Sequence, residues 1–147
     1  MHLRVAWIGK TKEAAIESLT AEYLKRLARY IPSEALELAS EATLLKQLDK
    51  TGSRTPQTLV LLDSRGKQMS SEELAEFLRG HLERGTQALL FAVGGADGFS
   101  DTTRKSAASL LSLGKMTLSH ELARVILLEQ LYRAFTILKG HPYHLGH

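Results

Sequence analysis

Two kinds of hydrophobic pattern alternate along the chain: short apolar runs, and longer stripes at helical spacing. Leu3-Arg4-Val5-Ala6-Trp7-Ile8 is short, β-prone and ended by Gly9, which predicts a first strand. Thr11 opens the next segment, where Ile16, Leu19, Tyr23, Leu24 and Leu27 share one helical face. Lys25, Arg26 and Arg29 fall on or beside its polar side, and Pro32 stops it. Ala35 to Ala39 alternates as a second strand. Ser40 then stands where a cap belongs, before a short helix carrying Leu44, Leu45 and Leu48, and Thr51-Gly52-Ser53 closes the unit.

Thr58-Leu59-Val60-Leu61-Leu62 is apolar without alternation, as a strand buried on both faces of a parallel sheet must be. Asp63-Ser64-Arg65-Gly66-Lys67 reads as its loop. Ser70 and Glu73 have capping-box spacing, and Leu74, Phe77, Leu78 and Leu82 continue from them as an amphipathic helix ending near Gly85. A second wholly apolar strand, Gln87 to Val93, runs directly into Gly94-Gly95-Ala96-Asp97-Gly98, and Ser100 or Asp101 starts another helix. The last helix carries Leu122, Val125, Leu128, Leu131, Tyr132, Phe135 and Leu138. Strands and helices in this order predict one α/β domain over 1–147, with a mainly parallel sheet flanked by helices. Its binding crevice belongs beyond the carboxyl ends of the strands, where the segments after Leu62 and at Gly94 meet.

Composition narrows the picture modestly. The 147 residues are 44% hydrophobic and 24% charged, ordinary for a single domain with a real core. With no cysteine there is neither a disulfide framework nor a thiolate metal site. The first ten residues lack a signal peptide's pattern, and no apolar run reaches membrane-spanning length, so cytoplasm is the expected compartment. A net charge of +3 suits a polyanionic partner without requiring one.

Several familiar sites are excluded by spacing. The Gly94–Gly98 turn lacks the G-x-G-x-x-G order, and neither it nor Gly114-Lys115-Met116 forms a phosphate loop closed by Gly-Lys-Ser/Thr. Asp97 within the turn disfavours a pyrophosphate but suits a cationic or neutral ligand. His120-Glu121 begins like a zinc-protease helix, yet Arg124 stands where the second histidine is needed. His141, His144 and His147 are three apart but have neither cysteines nor nearby carboxylates in sequence, so no metal is expected.

Three segments, Leu89 to Ser100 (LLFAVGGADGFS), Leu113 to His120 (LGKMTLSH) and Val125 to His144 (VILLEQLYRAFTILKGHPYH), together resemble the ribosomal RNA large subunit methyltransferase H family of the knotted SPOUT superfamily. The first strand ending at Gly9, Tyr23 to Arg26, and Leu62-Asp63 agree more loosely. The resemblance implies a C-terminal trefoil knot, an exception to the usual unknotted chain path. It also implies a homodimer that methylates N3 of a pseudouridine in 23S rRNA of the ribosome, with S-adenosylmethionine as donor and with neither DNA nor membrane as partner. By position, donor contacts fall at Leu62, Gly94, Leu113, Gly114, Lys115, Met116, Thr117 and Leu118. Glycines there permit close backbone approach and the apolar side chains supply walls, although each is equally at home as a strand-end or turn residue. The family pattern often has proline before the histidine; Ser119 here implies a less rigid donor loop.

A sulfonium donor needs alignment with the base nitrogen rather than a covalent nucleophile, and the imide proton needs an acceptor or electrostatic stabilisation of its loss. His120, Arg133 and His144 are the catalytic candidates. Arg26, Arg124, Arg133, His141, Tyr143 and His144 are candidates for substrate contact, arginine through its planar fork and Tyr143 by stacking. Glu129, four residues before Arg133, offers an intrahelical ion pair instead. The tail from His141 to His147 is expected to close over donor and substrate. Lys10, Lys12, Lys25, Arg26 and Arg29 read either as an RNA-backbone surface or as a solvated face. Two other readings stay open: a knotted methyltransferase for another nucleotide, and a non-catalytic RNA-binding or ribosome-assembly module.

Overall fold

In a computed structural model describing residues 1–48 and 55–146, the elements run in strict sequence. They are β1 (His2–Ile8), α1 (Ala14–Leu27), β2 (Ser33–Leu38), α2 (Glu41–Leu48), β3 (Gln57–Gln68), α3 (Ser71–Glu83), β4 (Ala88–Val93), α4 (Asp101–Ser106), β5 (Ser109–Ser112) and α5 (His120–Leu138), with a short 3-10 turn at His144–Gly146. The expected turn at Thr51-Gly52-Ser53, and His147, lie outside the described residues.

The sheet is parallel in every pairing and ordered β2-β1-β4-β3-β5. β4 sits at its centre and all six of its residues are buried, which explains the unbroken apolar run. Leu89, Phe91 and Val93 face one core with Leu27, Leu78, Leu128 and Phe135; Leu90 and Ala92 face the other with Leu44, Leu59 and Phe99. Helices α1, α3 and α5 therefore cover one face of the sheet. The broad apolar stripe of α5 is largely used inside the chain: Leu127, Leu128, Leu131, Ala134 and Phe135 are buried against α1 and α3. Among the described residues no helix is long and apolar enough to cross a membrane.

Local signals hold where the partner is local. Ser70 and Glu73 form the reciprocal capping box at α3, and Ser40 and Ser100 accept the N–H groups of Thr43 and Thr103. Three expectations change where the partner is distant. Asp63–Lys67 is strand rather than loop, because β3 continues to Gln68 and pairs with β5 a second time after a register shift, Lys67 and Gln68 against Leu111 and Ser112. β5, only four residues long, has no sequence signal of its own and was not expected as a strand. Finally, α1 begins at Ala14 rather than Thr11, since the Glu121 carboxylate of α5 takes the Lys12 and Glu13 N–H groups that would otherwise seek a local cap.

Candidate functional site

Beyond the carboxyl ends of β4 and β5, and beside the middle of β3 where its register with β5 shifts, lies a crevice of about 300 Å³, the low end for small-molecule sites. Its walls are Leu62, Asp63 and Ser64 from β3, Val93, Gly94, Gly95 and Gly98 after β4, Leu111 to Leu118 from β5 and the following loop, and His120 and Ala123 on α5. Every residue expected to hold the donor lines it: Leu62, Gly94, Leu113, Gly114, Lys115, Met116, Thr117 and Leu118.

Backbone geometry explains the glycines. A Cβ on Gly94 would sit 3.2 Å from the Gly98 backbone and 3.3 Å from the Phe99 ring, so a side chain there would push the turn apart by a few tenths of an ångström. Gly114 has φ +134°, and its N–H donates to the buried Ser112 hydroxyl, which donates in turn to the Gly114 carbonyl. This loop brings main-chain groups and the half-buried Leu113 and Leu118 to the cavity, while Met116 is 85% exposed at its rim. Apolar walls with main-chain donors and acceptors fit an adenine ring and its sugar better than a phosphate.

The carboxylate at the crevice is already engaged, whereas Lys115 is exposed at its rim. Burial pushes the Asp63 carboxyl up, but the Arg104 guanidinium at 2.6 Å and the Arg65 N–H outweigh it and hold the group below the usual carboxylate range. His120 is half-buried at the N-terminus of α5, where Ser119 caps the helix by accepting the Leu122 N–H. Ser119 thus supplies a hydrogen bond to the helix end that proline lacks.

Arg124, expected at the substrate, is instead completely buried, which corrects that assignment within one chain. Its guanidinium donates to the Thr11 hydroxyl and the Ile8 carbonyl and lies over the Trp7 ring. Burial pulls its basicity below the ordinary arginine value. The nearby Glu121 and Glu37 carboxylates offset only part of the cost of burying this cation.

The remaining candidates form a second cluster. Arg133 pairs with Glu129 at 2.8 Å, as the i,i+4 spacing allows, and its Nη1 lies 3.0 Å from His144 Nδ1. The Tyr143 hydroxyl donates to the same Glu129; burial, with this bond, pushes the phenol far above its ordinary range. His144 also pairs with Glu72 of α3. Arg26 lies over the rings of Tyr23 and Tyr132, and Tyr132 meets Tyr143 edge-on. His141 is exposed; its N–H donates to the Thr136 carbonyl at the end of α5. The tail is therefore docked on its own chain through Tyr143 and His144. Arg133 lies more than three turns beyond His120, roughly 20 Å along α5 at about 1.5 Å per residue. The chain thus brings His120 to the crevice but leaves Arg133, Tyr143 and His144 away from it. Sequence reasoning had no signal for Glu121 or Glu72, whose roles come from contacts between distant segments.

A family model described as "Predicted SPOUT methyltransferase" matches residues 1–144. The chain is similar to proteins called ribosomal RNA large subunit methyltransferase H. With that of Koribacter versatilis (strain Ellin345) it shares 63% identity over the full length of both chains. With that of Geobacter sp. (strain M21) it shares 45%, covering 98% of this chain and 99% of the relative. Among solved structures, a probable methylase family protein from Haemophilus influenzae Rd KW20 matches with a TM-score of 0.62 at 10% identity, covering 96% of this chain and 69% of that one. The SpoU methyltransferase AviRb from Streptomyces viridochromogenes, solved with its cofactor AdoMet, matches with a TM-score of 0.55 at 16% identity; 88% of this chain covers 56% of AviRb. These two likenesses concern the fold alone, whereas the full-length relatives and the family model agree on ancestry: the chain belongs to the SPOUT methyltransferases and, within them, to the ribosomal RNA large subunit methyltransferase H family.

Proposed function

We propose that this chain, as one knotted domain over 1–147 acting as a homodimer, transfers a methyl group from S-adenosylmethionine to N3 of a pseudouridine in 23S rRNA of the large ribosomal subunit. The observation that carries the reading is that Leu62, Gly94 and Leu113–Leu118 line one crevice, whose walls are mainly apolar side chains and glycine backbone rather than a phosphate loop. The donor supplies an already activated methyl group. The loop's main chain and the apolar side chains hold and orient it, and the protein's remaining task is to bring the base nitrogen into line and receive its proton. His120 borders the crevice in its own chain. Arg133 stands far along α5, and neither it nor Tyr143 and His144 docked beside it lines the crevice of its own chain, so the reading gives their role to a second copy, whose tail closes over donor and RNA. With rRNA as substrate, the reading takes the cytoplasm as the compartment in which the protein acts.

Mass spectrometry of 23S rRNA from cells with and without the protein tests the reaction: a methyl mark on pseudouridine is expected only with it. Methylation of other RNAs alone would sink the substrate assignment, and absence of donor binding in calorimetry would sink the enzyme. The shared site is tested by mixing two inactive variants, His120→Ala and Arg133→Ala. If each site draws on two copies, mixed dimers keep one intact site and regain activity. If both residues serve the site of their own chain, mixing restores nothing. Removal of the chain after Gly140 is expected to abolish methylation while leaving donor binding within a few-fold; unchanged methylation refutes the closing role.

A further inference from the structure

Arg124 holds an unusual position. Its side chain is fully buried, and among the described residues its Nε is the buried side-chain nitrogen without a partner. The other guanidinium nitrogens all serve one segment: Nη1 donates to Thr11 Oγ1 at 3.0 Å, and Nη2 donates to the Ile8 carbonyl at 3.2 Å with the Gly9 carbonyl at 3.4 Å. From the preceding turn of α5, Glu121 accepts the Lys12 and Glu13 N–H groups at 2.9 and 3.1 Å. Glu37 of β2 accepts the Thr11 N–H, and the Leu38 carbonyl accepts that of Gly9. Charged side chains from two other elements thus hold the main chain of the loop between β1 and α1. The side chains left exposed on it include Lys10 and Lys12.

This loop starts beside a wall of the crevice, although none of its own residues lines it. β1 lies beside β4 with Trp7 opposite Val93, so the chain leaves β1 next to Gly94-Gly95; a Cβ on Gly95 would meet the Ile8 carbonyl at 4.0 Å. On the first turns of α5, His120 and Ala123 line the crevice while Glu121 and Arg124 grip the loop. One short stretch of helix therefore follows the donor loop and supports a pair of cations beside it.

We infer that Arg124 and Glu121 are positioning residues that fix the Gly9–Glu13 loop, so that Lys10 and Lys12 meet phosphates of the RNA strand entering the crevice. The inference rests on the methyltransferase reading. A packing role alone leaves the chemistry unexplained. An apolar side chain of similar volume fills the same space without the cost of burying a cation, and every acceptor Arg124 reaches lies at the end of β1 or in this loop.

The test uses the full chain, a 23S rRNA fragment as binding probe, and S-adenosylmethionine in parallel calorimetry. Lys10→Gln with Lys12→Gln is expected to reduce the salt slope of RNA affinity by about one to two and the affinity by about tenfold. Arg124→Met and Thr11→Val are each expected to weaken RNA binding several-fold, with donor affinity unchanged. Combined with the double lysine variant, each should add less than about twofold, because both act through the same loop. Should Arg124→Met fail to fold, Thr11→Val, which removes one acceptor and leaves the arginine in place, carries the comparison. Losses that simply add to those of the lysine variant, or equal losses of donor and RNA affinity, overturn the inference. If the parent protein methylates no rRNA yet the loop variants lose RNA affinity without additivity, the reaction assignment fails and the positioning role stands.

Discussion

Gly66 offers the sharpest test of how the crevice is built. It lies in the part of β3 between its two pairings with β5, and a Cβ there would stand 2.5 Å from the Leu110 carbonyl carbon, 2.6 Å from the Leu111 nitrogen and 2.7 Å from the Leu110 oxygen. An ordinary carbon contact needs about 3.5–4.0 Å, so the strands would have to part by roughly an ångström. No side-chain rotation relieves this, because all three atoms are backbone. Overpacking costs about 1–3 kcal/mol, and each stretched β3–β5 hydrogen bond adds about 1 kcal/mol. For a chain of this size Gly66→Ala is expected to lower Tm by roughly 5–10 °C. Donor affinity should fall with it, since Leu111 to Gly114 wall the crevice. Gly80 is the matched control. It lies within α3, its added Cβ would meet only the mobile end of Arg84 at 3.2 Å, and Gly80→Ala should stabilise by about 0.5–1 kcal/mol. Thermal unfolding of both variants, with calorimetry against S-adenosylmethionine, decides the matter. If Gly66→Ala melts within about 1 °C of the parent and binds the donor normally, the close strand approach is not what shapes the site.

Two further outcomes follow from individual side chains. Burial, aided by the charge of Arg84, pulls the His81 imidazole below its ordinary value near 6.5, and the ring bonds Thr86 and meets Phe77 edge-on. The unfolded chain takes up this proton more readily than the native one, so the stability contribution is complete above about pH 6.5 and is lost as pH falls below it. Urea midpoints between pH 7.5 and 5.5 should decline, and His81→Gln should flatten that decline; an unchanged slope would show that His81 is not its source. Ser119→Ala removes the cap of α5 and should cost about 1 kcal/mol, with weaker donor binding because the donor loop ends there. An unaltered Tm would mean that the cap contributes nothing.

What local chemistry dictates could be read without a structure. The uninterrupted apolar run Leu89–Val93 marks the centre of a parallel sheet, because only a strand covered on both faces can spare alternation. Ser70 and Glu73 announce the start of α3 because both halves of a capping box lie within one turn. Strand-helix order places a crevice at Leu62 and Gly94, and the composite resemblance names its family. Tertiary structure decided the rest. β5 is a strand because β3 offers it a parallel partner, which four residues cannot declare alone. α1 starts late because Glu121, far along the chain, satisfies the amides before it. Arg124 looked like a substrate contact on a polar helix position, yet the fold turns that position inward onto the end of β1. The same α5 that carries His120 into the crevice holds Arg133 roughly 20 Å further along its axis, a separation set by helix rise and invisible in a list of residue types. Amides, caps and apolar runs act within a turn or a strand, so the sequence alone determines them. Pairing, burial and distance depend on which remote segments meet, and those only the tertiary structure decides.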